Sequence, residues 1–142
     1  IFMKVSIVYW SGTGNTEAMA NAVAEGAKGT GAEVELLPVS AASEDVLASD
    51  ALILGCPAMG AEQLEESEFE PFFSAIEGKL AGKKVGLFGS YDWGDGEWMR
   101  TWQERVVIAG GNMITDGIIA NNAPDDEALA ACKSLGEKAA RE

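Results

Sequence analysis

Two short runs, ALILG at Ala51–Gly55 and VGLFG at Val85–Gly89, hold no polar side chain. A strand with one face in water alternates polar and apolar residues. A strand with no polar position must be covered on both faces, the condition of inner strands in a parallel sheet. Parallel neighbours need long crossovers, usually helical, and the chain supplies them. Val5–Trp10 reads as strand one. Thr16 to about Lys28 follows as a helix closed by Gly29 and Gly31. Glu33–Leu37 is strand two, and Ser43–Leu47 a short capped helix. A long loop from Cys56 to about Ser67 separates ALILG from a helix over Phe69–Leu80, with Pro71 in its first turn. After VGLFG come a loop at Ser90–Gly96, a helix over Glu97–Ala109, strand five at Met113–Ala120 and a last helix over Asp125–Arg141. That helix has Leu129, Cys132, Leu135 and Ala139 on one face. Five strands alternating with five helices predict an α/β chain with a doubly wound, five-stranded parallel sheet.

The 142 residues suit one domain over 1–142. Met3 reads as the native start, with Ile1 and Phe2 a remnant ahead of it. The chain enters strand one with no secretory leader, and no run approaches the length of a membrane span. A cytoplasmic setting is therefore expected. Cys56 and Cys132 lie far apart and imply neither a disulfide framework nor a metal knuckle. With no histidine, the commonest metal ligand and general base are both missing. Ten basic against 23 acidic residues give a net charge of -13, a surface that repels nucleic acid and anionic membranes. The acids cluster at Glu62, Glu65, Glu66, Glu68 and Glu70, and again at Asp92, Asp95 and Glu97. This distribution predicts steering toward a basic partner.

In a doubly wound sheet the ligand lies at the carboxyl ends of the strands. Those ends read SGTGNT after strand one, CPAMGAE after three, SYDWGDG after four and NNAPDD after five. SGTGNT lacks the Lys-Ser/Thr pair of a triphosphate loop, and Glu17 stands where a dinucleotide fingerprint needs its third glycine. It does gather donors at a helix start: the hydroxyls of Ser11, Thr13 and Thr16, the Asn15 amide, and backbone N–H groups exposed by Gly12 and Gly14. Such a nest favours an anion. The chemistry fits one terminal phosphate held by neutral groups, and a cation-free loop suits a cofactor that must accept electrons.

The other loops suit a flat ring system. Met59 follows strand three, and Tyr91, Trp93 and Trp98 crowd the end of strand four, where aromatic faces can grip a ring. Trp98 stands one helical turn from Trp102, so it reads equally as core. Gly60, Gly94 and Gly96 let backbone approach ring edges. A phosphoryl-accepting receiver domain is excluded, because SGTG and CP occupy the positions of its acidic residues. A cysteine phosphatase is excluded by Glu62 at the place of its arginine.

Together VYWSGTGNTEAMA, LGCPAMG, EPFF, GKKVGLFGSYDWGDGEWM and NAPDD resemble a short-chain flavodoxin of the kind found in anaerobic bacteria, over nearly the whole chain. The resemblance implies strand order 2-1-3-4-5 and noncovalently bound FMN. It implies a low-potential electron carrier, cycling chiefly between semiquinone and hydroquinone, rather than an enzyme. An FMN-dependent quinone or nitro reductase is the alternative on the same fold. The resemblance places Ser11, Gly12, Thr13, Gly14, Asn15 and Thr16 at the phosphate. It places Met59 on the inner and Trp93 on the outer ring face, and the Gly60 carbonyl at N5. Glu62 falls near N3, while Ser90, Tyr91 and Gly94 line the phosphate and pyrimidine edges. Pro57, Ala58, Ala61, Asp92, Gly96 and Trp98 complete the expected contact set. Pro57 stands where some relatives have a phosphate-binding serine, and Asp92 where close relatives have glycine. A monomer with basic redox partners is expected, with neither nucleic acid nor membrane.

Overall fold

The computed structural model describes residues 3–141, so the reading of Ile1 and Phe2 lies outside them. The two apolar runs become the middle of the sheet. β3 (Ala51–Gly55) and β4 (Lys84–Tyr91) pair in parallel, β1 (Lys4–Tyr9) lies beyond β3, and β2 (Glu33–Pro38) lies at the edge. The far side of β4 carries two short parallel strands, β5 (Asn112–Met113) and β6 (Ile118–Asn121). The order β2-β1-β3-β4-β5 is the expected one.

Alternate residues of the inner strands feed two separate cores, as a period of two requires. Val5, Ile7, Ala51, Ile53 and Phe88 pack under α1 (Asn15–Lys28) and α4 (Asp126–Ala139). Val8, Leu52, Leu54, Val85 and Leu87 pack under α2 (Phe69–Glu77) and α3 (Glu97–Ile108), where Phe69, Phe73, Trp98 and Trp102 supply the bulk. The first core closes differently. A Cβ on Gly26 would lie 1.9 Å from the Lys133 carbonyl oxygen, and one on Gly136 2.0 Å from that of Val23. The two helices therefore meet backbone to backbone.

Four expectations need correction. Strand five is not continuous: it breaks at residues 114–117, where α3 intrudes. The Gly117 N–H donates to Gln103 Oε1 at 2.8 Å, and a Cβ on Gly117 would come within 2.4 Å of Met99 Sδ. The crossover from β2 to β3 carries no α-helix. It holds two 3-10 turns, Val39–Ala41 and Glu44–Ala48, the second capped by Ser43 Oγ accepting from Asp45 N at 3.2 Å. The helix expected to reach Leu80 stops at Glu77 before Gly78, and β4 runs on through Ser90 and Tyr91, which stand on a strand rather than in a loop.

Candidate functional site

The parallel strands end on one margin of the sheet, Tyr9 opposite Gly55 and Tyr91 opposite Asn121, with β4 running on past Phe88, the partner of Gly55. Three further bonds carry the ladder into the loops: Trp10 N to Gly55 O at 3.0 Å, Cys56 N to Phe88 O at 3.1 Å and Ala58 N to Ser90 O at 3.0 Å. The loops thus leave the sheet side by side and enclose a cleft of about 220 Å³. Gly12, Thr13 and Asn15 line it from the first loop, Pro57, Ala58 and Met59 from the second, and Ser90, Tyr91 and Asp92 from the end of β4. Asp92 is the one charged residue in that lining, and no lysine or arginine joins it.

The first loop is built to leave donors unused. Gly14, at the N-cap of α1, has φ +95 and offers no side chain to cap the helix. Ser11 Oγ accepts instead from Gly14 N at 3.1 Å and Glu17 N at 3.2 Å. Having accepted twice, that hydroxyl still has its own proton to donate. Thr16 is buried against β4, its Oγ1 3.0 Å from Ser90 Oγ and accepting from Ser90 N at 3.3 Å. The backbone amides of Gly12, Thr13, Asn15 and Thr16 have no partner among the described residues. Helix dipole, unpartnered amides and neutral hydroxyls thus gather at the start of α1.

The far end of the cleft is open and apolar. Met59, in the cleft lining, is 38% exposed, and Trp93, next to Asp92 in the third loop, is 60% exposed. Met59 and Gln63 close the second loop by mutual backbone bonds of 2.8 and 2.9 Å, around Gly60 and Glu62 at φ +51 and +53. Ala61 is exposed at the turn. Gly94 and Gly96 shape the third loop with φ +89 and +92.

The family model described as Flavodoxin matches residues 7–136. The chain belongs to the flavodoxin family. It is 52% identical to the flavodoxin of Megasphaera elsdenii over 138 residues, 96% of this chain and 98% of that one. It is 51% identical to the flavodoxin of Clostridium beijerinckii over 137 residues, 96% of this chain and 99% of that one. The solution structure of two-electron reduced Megasphaera elsdenii flavodoxin superposes with a TM-score of 0.89, covering 97% of this chain and 99% of that one. As a flavodoxin it is an FMN-binding, low-potential electron carrier and not an enzyme, and the reductase alternative is not favoured.

The donor set fits that cofactor: neutral groups for one phosphate, then an apolar cleft with exposed lips. Of the expected contact set, Gly12, Thr13, Asn15, Pro57, Ala58, Met59, Ser90, Tyr91 and Asp92 line the cleft, whereas Ser11, Gly14, Thr16, Gly60, Ala61, Glu62, Trp93, Gly94, Gly96 and Trp98 do not. Trp98 is a core residue, 2% exposed, its Nε1 donating to the Cys56 carbonyl at 3.1 Å and its ring tilted against Tyr91 at 5.5 Å. It supports the cleft wall from behind. Glu62 lies on the start of α3, its Oε1 accepting from Glu97 N at 3.0 Å, and a Cβ on Gly94 would meet its carboxylate at 2.6 Å.

Sequence reasoning missed two lining residues, Trp10 and Asn122. Trp10 read as the end of strand one, but its indole turns beneath Gly12, where a Cβ would lie 3.0 Å from the ring. Asn122 has φ +58, and its N–H donates to the Tyr91 carbonyl at 2.7 Å. Asparagine tolerates that region better than most residues, so the NN pair at the strand end was its only signal. The acidic run also divides. Glu65 is buried as the cap of α2, and Glu70 is held by Arg105 at 2.7 Å. Burial pushes the Cys56 thiol well above its ordinary range and the Cys132 thiol up to about 12, so both are inert packing residues.

Proposed function

We propose that the chain is a single FMN-binding domain in which residues 11–16 hold the phosphate, with Met59 on the inner and Trp93 on the outer face of the ring. The observation carrying this reading is the set of unpartnered neutral donors at the start of α1, opening on an apolar cleft. Bound there, FMN supplies one-electron exchange at low potential. The chain's own part is placement and electrostatics. Ser11 and Thr16, each already accepting within the fold, direct their hydroxyl protons outward to phosphate oxygens. The Gly12, Thr13, Asn15 and Thr16 amides complete the cradle, and Pro57 contributes shape but no hydroxyl. Ser90 fixes Thr16, and Tyr91 walls the ribityl side.

At the ring end, Gly60 has nothing within 4 Å of where a Cβ would stand and is free to turn its peptide. Its carbonyl is the group we assign to N5. Asp92 adds negative charge and no cation lines the cleft, which together disfavour further reduction and keep the potential low. Docking of basic redox partners is supported by the acids left exposed, Glu66, Glu68, Asp92 and Glu97. With Glu62, Glu65 and Glu70 engaged within the fold, that face is narrower than the sequence suggested. Two free cysteines support a cytoplasmic setting, and the net charge of -13 supports a monomer, since copies repel.

The purified protein is expected to be yellow, with flavin absorption bands and quenched flavin fluorescence. Thr16→Val should weaken FMN binding about tenfold or more in a fluorescence titration, through one lost charge-assisted bond and a stranded Ser90 amide. A colourless protein that takes up no FMN would overturn the assignment.

A further inference from the structure

A second, larger groove of about 470 Å³ runs between α3 and the edge strand β6. We infer that this groove is a docking slot for an apolar side chain flanked by lysine or arginine on the electron-transfer partner. The inference rests on the electron-carrier reading above and adds a contact beside the cofactor lips. Val107 and Ile119 form its apolar walls, 55% and 38% exposed. Among the described residues β6 pairs only with β4, so its outer side is uncovered.

The groove is continuous with the cleft margin. A Cβ on Gly96 would lie 3.1 Å from Ile119 Cδ1, and Gly96 closes the loop that carries exposed Trp93. A partner seated over the lips therefore reaches the groove without leaving the surface. The floor is preformed: Gln103 accepts from Gly117 N at 2.8 Å and donates to Asp116 Oδ1 at 3.2 Å.

The same bonds argue against a small-molecule ligand. The Gln103 amide is engaged at both ends, and Arg100 is bound to Asp95 at 2.9 Å and to its carbonyl at 3.1 Å. Few polar groups remain free to orient a small ligand, which such sites require. What remains is apolar surface between two acids. Glu104 and Asp116 make no ion pair among the described residues. A second copy of a chain with net charge -13 is repelled from such a rim, whereas a basic partner is attracted. Charge steers the encounter, and the buried apolar tip sets its lifetime.

The test uses FMN-loaded protein and three peptide probes, acetyl-Lys-Lys-Ile-Lys-Lys-amide, its serine-centred analogue and the glutamate version of the first, followed by amide-resolved NMR. The isoleucine peptide should shift Val107, Gly117 and Ile119 saturably and bind about tenfold tighter than the serine peptide. The glutamate peptide should not bind. Val107→Ser and Ile119→Ser, both at exposed positions, should erase the difference between the two basic peptides while leaving the flavin spectrum unchanged. Equal binding of the two basic peptides, or shifts confined to residues 92–97, would show purely electrostatic docking at the lips and overturn the groove. Failure to load FMN is read separately from the flavin bands and counts against the cofactor assignment instead.

Discussion

The connection from β3 to α2 is anchored at Glu65 and loose at Gly60. Glu65 is 6% exposed, and its carboxylate accepts from the N–H groups of Ser67, Glu68 and Phe69 at 2.7 to 2.9 Å, and from the Ser67 hydroxyl. It neutralises the start of α2, and those bonds hold its pKa down to about 2 although burial opposes them. Its own N–H donates to Cys56 Sγ at 3.3 Å, tying the loop root to the end of β3. At the tip, Gly60 and Glu62 occupy left-handed backbone, and the chain around them is largely exposed. One loop therefore combines a buried, multiply bonded root with an exposed turn, and we expect a peptide rotation at that turn to stay out of the core. In sequence both ends belonged to one acidic stretch. Structure separates Glu65, which holds the fold, from Glu66 and Glu68, which face solvent.

The largest expected effect lies at the root. Glu65→Gln puts an amide NH₂ against N–H donors, and should cost about 1–3 kcal/mol in urea unfolding at neutral pH. The sign with pH follows from the lowered pKa. The carboxylate's contribution is complete above its ordinary value of 4.5 and is lost as pH falls toward about 2. The parent should lose stability across that window, and the variant should lose less. An unchanged unfolding midpoint at neutral pH would break the contrast between root and tip.

At the tip, Gly60→Thr meets no steric obstacle and bears only the backbone cost, about 1–2 kcal/mol. Gly60 already stands at φ +51, so if the reduced form keeps this turn and the oxidised form leaves it, that strain falls on the reduced form. The first one-electron couple should then become more negative by about 40–90 mV, with FMN retained. A potential equal to the parent's would place the rotation elsewhere.

The smallest effect tests the third loop. Asp92→Gly removes one exposed charge from the cleft lining. At ~12 Å and an effective dielectric of ~40–80 this is worth about 15–30 mV for one electron, making the low-potential couple less negative. Spectroelectrochemistry at low and high salt sharpens the comparison, since screening should shrink this shift and leave that of Gly60→Thr intact.

The sheet was readable because ALILG and VGLFG admit no other placement, and the donor-rich loop at residues 11–16 because its donors are contiguous. What escaped was set by contacts between distant segments. MITDGIIA reads as one strand until Met99 and Gln103 arrive from α3 and take Gly117. Trp98 was ambiguous at one helical turn from Trp102, and only the Cys56 carbonyl decided it. Glu65 and Glu70 looked like solvated charges because their partners, the α2 amides and Arg105, depend on a turn and on a helix far along the chain. Trp10 and Asn122 were hidden because side-chain direction at a strand end depends on the next loop.

The glycine crossing of α1 and α4 bears on the order of folding. The helix that begins at Asn15 packs on β1, β2 and β4, and the last helix then closes over it, Gly26 against Lys133 and Gly136 against Val23. Contacts so distant in sequence form late and slowly. During synthesis the helix at Asn15–Lys28 thus waits for a segment that emerges much later. The loop at residues 11–16 is therefore expected to reach its final form late in folding, and FMN capture with it.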